Sequence, residues 1–281
     1  MNDLSELLGY AFNQRALLAA AVIGLVNGYL SGYVVLRRSA LFTGALANTM
    51  FPGITVGFIL FGVSALSAFI GGLAVSMLIG LAAVGLATRT RVDKDSALAI
   101  LWTGAFAAGL LMHDHLHLHV KIQDYLFGNI LGLSNSDLWY TLIAGALTLA
   151  LLVTLERPLM LFAFDPDVAA SQGVPVRKMD YLLMGLLVLM MVTSIQAVGV
   201  ILALGLMVAP GAILYLLVNS PRAMLWGGGL LGATLAVLSI LLSNLFDLRT
   251  GATMVVVLAS AFILTTLLSP RYGVFSGFRR S

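Results

Sequence analysis

SALFTGALANTMFPGITVGFILFGVSALSAFIGGLAVSMLIGLAAVGLAT (39–88) is a continuous stretch without a single Asp, Glu, Lys or Arg. A helix that crosses a bilayer needs about 20 predominantly apolar residues. The stretch is long enough for two such helices and a turn between them. We therefore predict that this part of the chain crosses a membrane twice.

The rest of the chain has the same character. Of its 281 residues, 60% are hydrophobic and 10% are charged, compared with about 25% charged residues in a typical soluble domain. Further uncharged runs cover 96–113, 138–155, 181–221, 223–246 and 250–270. None of them alternates with the period of two that is typical of a membrane barrel strand. The composition therefore predicts an all-α, polytopic integral membrane helix bundle.

The lengths of the apolar runs predict eight or nine transmembrane helices. The region 180–218 leaves the number open, because it fits either two passes or one broken helix with a re-entrant piece. Pro52 and Pro210 predict bends, since proline removes a backbone donor from the helix. The predicted spans are 16–36, 40–61, 64–87, 95–112, 138–156, 180–195, 197–218, 224–245 and 252–269.

The positive charges predict the orientation of these spans. Lys and Arg are enriched in the cytoplasmic loops of membrane proteins. If Arg37 and Arg38 are cytoplasmic and there are nine passes, all but three of the 15 Lys and Arg residues are also cytoplasmic. The exceptions are Arg15, Lys121 and Arg249. This bias predicts an N-terminus outside the cell and a C-terminus in the cytoplasm.

The predicted cytoplasmic segment RPLMLFAFDPDVAASQGVPVRK (157–178) is too long for a plain turn. Asp165 fits a helix N-cap, and Pro166 fits the first helical position. Asp167 adds negative charge to the first turn, and Gly173 fits a helix end. The pattern predicts a short cytoplasmic helix, which is either a plain surface helix or a docking helix for a soluble partner.

The predicted outer segment HDHLHLHVKIQDYLFGNILGLSNSD (113–137) contains all four histidines of the chain. In an extended segment their side chains would share one face, whereas in a helix they would pair at i,i+4. Neutral imidazole is a common zinc ligand, although a solvated loop with incidental histidines is the alternative interpretation. The candidate metal ligands are His113, His115, His117, His119 and Asp114.

The spans themselves offer few reactive groups. No His, Cys or carboxylate is predicted at membrane depth, which argues against an intramembrane enzyme and a proton-coupled carrier. The sequence has no Gly-x-x-x-x-Gly-Lys-Ser/Thr loop, so an ATP-driven function needs a separate ATP-binding subunit. The candidate residues for a translocation path are Asn48, Thr49, Pro52 and Gln196. Helix–helix hydrogen bonding is the alternative role for the polar ones.

Five segments, in this order, resemble the permease subunits of ABC importers for metal ions, the zinc, manganese and iron uptake family. They are YVVLRRSALFTGALANTMFPG (33–53), YLFGNILGLSNSDLW (125–139), FDPDVAASQGVPVRKMDYLL (164–183), QAVGVILALGLMVAPGA (196–212) and DLRTGATMVVVLASAFILTTLLSPRYG (247–273).

The resemblance implies a type II ABC importer-like permease in a bacterial cytoplasmic membrane, with one transmembrane domain over residues 1–281. It implies a dimer with a second permease copy or paralogue around a central metal path, and an extracytoplasmic metal-binding protein as donor. No covalently bound cofactor and no nucleic acid partner are implied. A coupling helix near 164–173 would dock on the ATPase, and the residues that match its motif are Phe164, Asp165, Pro166, Ala169 and Gly173.

One departure from the family pattern concerns the metal path. The family reads Gly-Asp-Ala-x-Ser-His before the Pro-Gly that is Pro52-Gly53 here, and its Asp and His are thought to face the path. Gly44 and Asn48 occupy those two positions. Arg249 also stands where the family tends to have proline.

Several functional hypotheses therefore remain open. The leading one is an ATP-driven importer for which the histidines favour zinc over Mn²⁺ or Fe²⁺. The others are an ATP-independent carrier or channel, and a permease-like subunit whose metal ligands come from a second permease.

Overall fold

The computed structural model describes residues 11–115, 135–246, 248 and 250–269, and within them every regular element is an α-helix. The helices are α1 (Ala11–Leu36), α2 (Ala40–Asn48), α3 (Met50–Phe61), α4 (Ala65–Arg89), α5 (Lys94–His115), α6 (Asn135–Thr154), α7 (Glu156–Phe164), α8 (Pro166–Ser171), α9 (Val176–Val198), α10 (Val200–Leu217), α11 (Pro221–Phe246) and α12 (Thr250–Leu268).

In this described part, nine segments are long and apolar enough to cross a membrane. They are α1, α2 together with α3, α4, α5, α6, α9, α10, α11 and α12. The predicted fold class is thus confirmed. The region 180–218, for which the sequence left the number of passes open, contains two such segments, α9 and α10, which are separated only by Gly199. Gly199 has φ = 90°, a backbone conformation that residues with a side chain rarely adopt.

The second span is broken, as Pro52 predicts, but the break lies at Thr49. Proline has no N–H, so the carbonyl of Asn48 loses its partner four residues later. The hydroxyl of Thr49 donates to Leu46 O at 2.6 Å and lies 2.7 Å from the hydroxyl of Ser76. In contrast, α10 is a continuous helix through Pro210.

Helix α1 lies at the centre of the bundle and packs against α11 through glycines. A Cβ atom on Gly24 would lie 2.5 Å from the carbonyl oxygen of Gly232, and Gly28 meets the backbone of Gly228. The pair α3 and α4 repeats this contact, with a Cβ on Gly53 placed 2.7 Å from the Gly71 carbonyl. Small residues let membrane helices approach to backbone contact, where dispersion forces replace the hydrophobic effect.

The segment after the fifth span differs from its prediction. The span was expected over 138–156, and a loop with one short helix was expected to follow. The structure ends the span at Thr154 and adds α7, so two short helices precede α9. Leu155 lies between α6 and α7 with φ = −103° and ψ = 17°, outside the regular helical values.

Candidate coupling helix and translocation path

Helix α8 has the caps that its sequence predicts. The Asp165 carboxylate accepts hydrogen bonds from the backbone N–H groups of Asp167 and Val168, both at 3.0 Å. Pro166 occupies the first turn. After the helix, Gly173 adopts φ = 80°, and the N–H of Val174 donates to Ala169 O at 3.0 Å. Donors at the start of the helix and carbonyls at its end are thus satisfied locally.

The faces of this segment differ in exposure. Ala169 is fully buried against the chain itself. Phe164 and Val168 are 56% and 40% exposed. Because a buried methyl group has no access to another subunit, Ala169 seats the helix on its own chain. Phe164 and Val168 are the large apolar side chains of this segment that are exposed to an external contact.

Three of the four predicted path residues are engaged in contacts between helices. Thr49 is buried and bonds to Ser76 of α4. Gln196 donates to the carbonyl of Ala65, the first residue of α4, at 2.9 Å. Pro52 is buried where a Cβ on Gly109 of α5 would lie 2.7 Å from the proline Cα.

Asn48 differs from these three because it is exposed, and its amide makes only a long bond of 3.4 Å to Gly44 O. Gly44 lies one turn earlier on the same face of α2. A Cβ atom at Gly44 would have nothing within 4 Å. The two positions where the family pattern has Asp and His therefore form an open surface on α2.

The predicted histidine ligands lie largely beyond what the structure describes. His117 and His119 are outside the described residues. Residues 113–115, which include Asp114, form the end of α5 with a described backbone only. The extended alternative is therefore wrong for 113–115, because their backbone is helical. Among the side chains that are described, no group of three His, Asp or Glu residues is placed to hold a metal ion.

One buried carboxylate was missed by the sequence analysis. Glu156 is 8% exposed at the junction of α6 and α7. Its carboxylate accepts hydrogen bonds from the hydroxyl of Tyr29 at 3.2 Å, from Nε of Arg222 at 2.7 Å and from Nε1 of Trp226 at 3.3 Å. Glu156 thus joins α7 to α1 and α11.

Glu156 lies two residues beyond the fifth span, which ends at Thr154, and it is nevertheless buried among the helices. Tyr29 lies about two helical turns before the end of α1, so its partner is set into the bundle. The available signal was an acidic residue at the very end of an apolar run. Its counter-charge, Arg222, is 66 residues away and gives no local pattern.

Comparison with known proteins gives a consistent result. The model of the ABC 3 transport family matches residues 9–269. The chain is 35% identical over 276 residues to the manganese transport system membrane protein MntC of Halalkalibacterium halodurans, which covers 98% of this chain and 93% of that protein. It is 34% identical over 264 residues to the chelated iron transport system membrane protein YfeD of Yersinia pestis, over 94% and 88% of the two chains.

A solved structure agrees with the sequence comparisons. The chain is similar to PsaBC from Streptococcus pneumoniae in complex with Fab, with a TM-score of 0.84 at 29% identity over 98% of both chains. The matched region includes all nine spans and the capped helix α8. The chain therefore belongs to the ABC 3 transport family and is a permease subunit of the metal-ion ABC importers.

Proposed function

We propose that this chain is the transmembrane subunit of an ATP-driven importer of a divalent metal ion in a bacterial cytoplasmic membrane. It acts with a second permease, a separate ATP-binding subunit and an extracytoplasmic metal-binding protein. The observation that carries the proposal is α8, a capped and exposed helix between α7 and α9 in a chain without a nucleotide-binding loop. A short helix presented in this way fits a groove on a soluble partner.

Docking at α8 is proposed to use two large exposed apolar side chains, one at the end of α7 and one in α8. Phe164 and Val168 insert into the partner, and the cap at Asp165 and the turn at Gly173 hold the helix in shape. A buried aromatic anchor is a frequent centre of binding energy at protein interfaces. Replacing Phe164 with Ser is expected to reduce co-purification of the ATPase. Replacing Ser171, an exposed residue of α8, with Ala is the matched control.

The test of the whole proposal is metal uptake into proteoliposomes that contain this chain, the second permease, the ATPase and the binding protein. Uptake is expected only with ATP, and vesicles with ADP serve as the control. Uptake that is equal with ATP and ADP would assign the ATP-independent carrier or channel instead. No uptake of any divalent metal by an assembled complex would overturn the proposal.

The metal path is proposed to be completed by a second permease, which makes the dimer a heterodimer. The open surface at Gly44 and Asn48 offers an amide but no carboxylate or imidazole, and hard divalent ions prefer charged oxygen ligands. A paralogue that keeps Asp and His at these positions would supply them. Purification with two different tags tests this: a complex with two copies of this chain that transports metal would refute the heterodimer.

Manganese is the transported ion that we infer. The two sequence relatives described above are named for manganese and for chelated iron transport. Zinc is the second candidate, favoured by the four histidines within 113–119. Uptake of Mn²⁺ in the presence of increasing Zn²⁺ separates the two: weak competition supports manganese, and strong competition with faster zinc uptake supports zinc.

The orientation is proposed with the N-terminus outside and the C-terminus in the cytoplasm. The chain has no cysteine, so a single introduced cysteine reports its own side of the membrane. Val63, 68% exposed between α3 and α4, is then extracellular, and Gln172 is cytoplasmic. A membrane-impermeant thiol reagent on spheroplasts is expected to label Val63→Cys and not Gln172→Cys. The reverse pattern would invert the topology.

A further inference from the structure

A single side chain, that of Arg37, links the end of α1 to the helices before and after α8. Arg37 directly follows α1. Its Nη1 donates to the carbonyl of Phe162 at 3.3 Å, and its guanidinium lies 4.1 Å from the centre of the Phe162 ring. Its Nη2 lies 3.7 Å from the Asp180 carboxylate. Phe162 belongs to α7, before α8, and Asp180 belongs to α9, after it.

The Asp180 carboxylate is shared with a second cation. Lys94, the first residue of α5, lies 2.7 Å from the same carboxylate oxygen, and its ammonium lies 4.9 Å from the ring of Phe42 in α2. The side chains of Arg37, Asp180 and Lys94 are only 23%, 16% and 27% exposed. Charges that are shielded to this degree are screened less by salt than pairs at a surface.

The start of α5 is itself held in place. Asp93 caps the helix, and its carboxylate accepts a hydrogen bond from the N–H of Ser96 at 2.9 Å, which lowers the pKa of the Asp93 carboxyl. Lys94 therefore projects from a defined helix end. The cluster of Arg37, Lys94 and Asp180 joins α1, α5 and α9 at one point.

A tight turn joins Arg37 to the helix with the open path surface. Only Arg37, Arg38 and Ser39 lie between α1 and α2. Arg38 has φ = 54°, and the N–H of Ser39 donates to the carbonyl of Val34 at 2.9 Å. A short, hydrogen-bonded turn allows little independent movement of the two helices that it joins. A displacement of Arg37 therefore moves the start of α2, which carries the open positions at Gly44 and Asn48.

We propose that Arg37 is a positioning residue that makes α7, α8, α9 and the α1–α2 turn move as one body, so that movement of the docked α8 reaches α2. This inference rests on the proposed function, in which an ATPase docks on α8. The planar guanidinium suits the role because its donors point in several fixed directions. Lysine would keep a charge beside Asp180 but not the simultaneous bond to the Phe162 carbonyl.

The first test compares transport with ATP hydrolysis in proteoliposomes that contain the complete complex. In Arg37→Gln, Mn²⁺ uptake is expected to fall about tenfold. A factor of ten corresponds to about 1.4 kcal/mol, which is similar to the net contribution of a charge-assisted hydrogen bond. ATP hydrolysis is expected to stay close to wild type, so more ATP is used per ion. Mn²⁺ uptake by Arg37→Lys should lie between that of the wild type and that of Arg37→Gln. Arg157→Gln, which removes an exposed arginine from α7, is the matched control.

Wild-type coupling in Arg37→Gln would overturn the inference. So would a proportional loss of uptake and hydrolysis, because that indicates damaged assembly and not lost transmission. A wild-type complex that takes up no metal would refute the proposed function instead, and the second measurement does not depend on uptake.

The second measurement uses spin labels in the cysteine-free chain. Leu41→Cys on α2 and Gln172→Cys after α8 are both exposed positions. Their distance distribution is expected to be narrow, to stay so when the ATPase binds nucleotide, and to broaden in Arg37→Gln. An unchanged distribution in Arg37→Gln would show that α8 and α2 are held together without Arg37.

Discussion

Replacement of Glu156 with Ala removes the acceptor of three hydrogen bonds from two other helices. The three donors differ in whether they can find a new hydrogen-bond acceptor after the substitution. The Arg222 side chain is 61% exposed and Trp226 is 42% exposed, so both can hydrogen-bond to solvent instead. Tyr29 is fully buried, and its hydroxyl is left without its acceptor.

The size of the destabilisation follows from this difference in exposure. A stranded buried hydroxyl costs about 1 to 3 kcal/mol. The lost charge-assisted bonds to Arg222 and Trp226 add less, because exposed charges are screened. We therefore expect Glu156→Ala to destabilise the protein by about 2 to 4 kcal/mol. Glu156→Gln keeps an oxygen for Tyr29 and should cost clearly less.

The assay is a double-mutant cycle with Tyr29→Phe. Thermal unfolding in detergent is followed by tryptophan fluorescence at a fixed heating rate, because such unfolding is often irreversible. The Trp226 ring lies 5.2 Å from the Tyr29 ring and reports on the site directly. Adding Tyr29→Phe to Glu156→Ala removes the stranded hydroxyl and should restore part of the lost stability.

Two outcomes would contradict a role of Glu156 as the acceptor for Tyr29. If Tyr29→Phe lowers the midpoint in the Glu156→Ala background as much as it does in the wild type, the hydroxyl and the carboxylate are not coupled. If Glu156→Gln is as damaging as Glu156→Ala, the negative charge matters and the acceptor for Tyr29 does not.

Three further predictions concern packing, the cap and the histidines. Gly24→Ala should lower the unfolding midpoint and Gly44→Ala should not, because only the first Cβ meets backbone. Asp165→Ala should weaken ATPase co-purification through a lost cap of about 1 kcal/mol, with Asp167→Ala as control; equal losses would contradict this. If zinc is the transported ion, replacing the histidines of 113–119 with Ala should slow its uptake most at low external zinc, and zinc binding to the wild type should weaken below about pH 6.5, where imidazole protonates; unchanged zinc uptake would exclude these histidines as ligands in transport.

Helix α8 was predictable because its signals are local. The Asp165-Pro166 start and the Gly173 end act over a few residues, and the structure shows both caps. The break in the second span was also signalled by Pro52, although it falls at Thr49. Helix α7 was not predicted, although Glu156 and Pro158 in its first turn are residues that favour a helix start.

The residues that join the helices were not predictable in the same way. Tyr29 and Glu156 are 127 residues apart, and Arg37 and Phe162 are 125 residues apart. Nothing in the chain near Glu156 indicates which helix face will meet it. The polar path candidates show the same limit, because Thr49 and Asn48 are adjacent and yet one is buried and the other exposed.

Two properties of this chain follow from local sequence: that it crosses a membrane, and where α8 begins and ends. Span length is set by bilayer thickness, and caps are set by neighbouring backbone groups, so both are written locally. The central position of α1, the burial of Glu156 and the contacts of Arg37 with the two helices that flank α8 become visible only in the packed bundle. Those contacts depend on which helix faces meet. Glycines such as Gly24 allow two helices to approach closely, but which helix packs there is fixed only when the whole bundle is assembled.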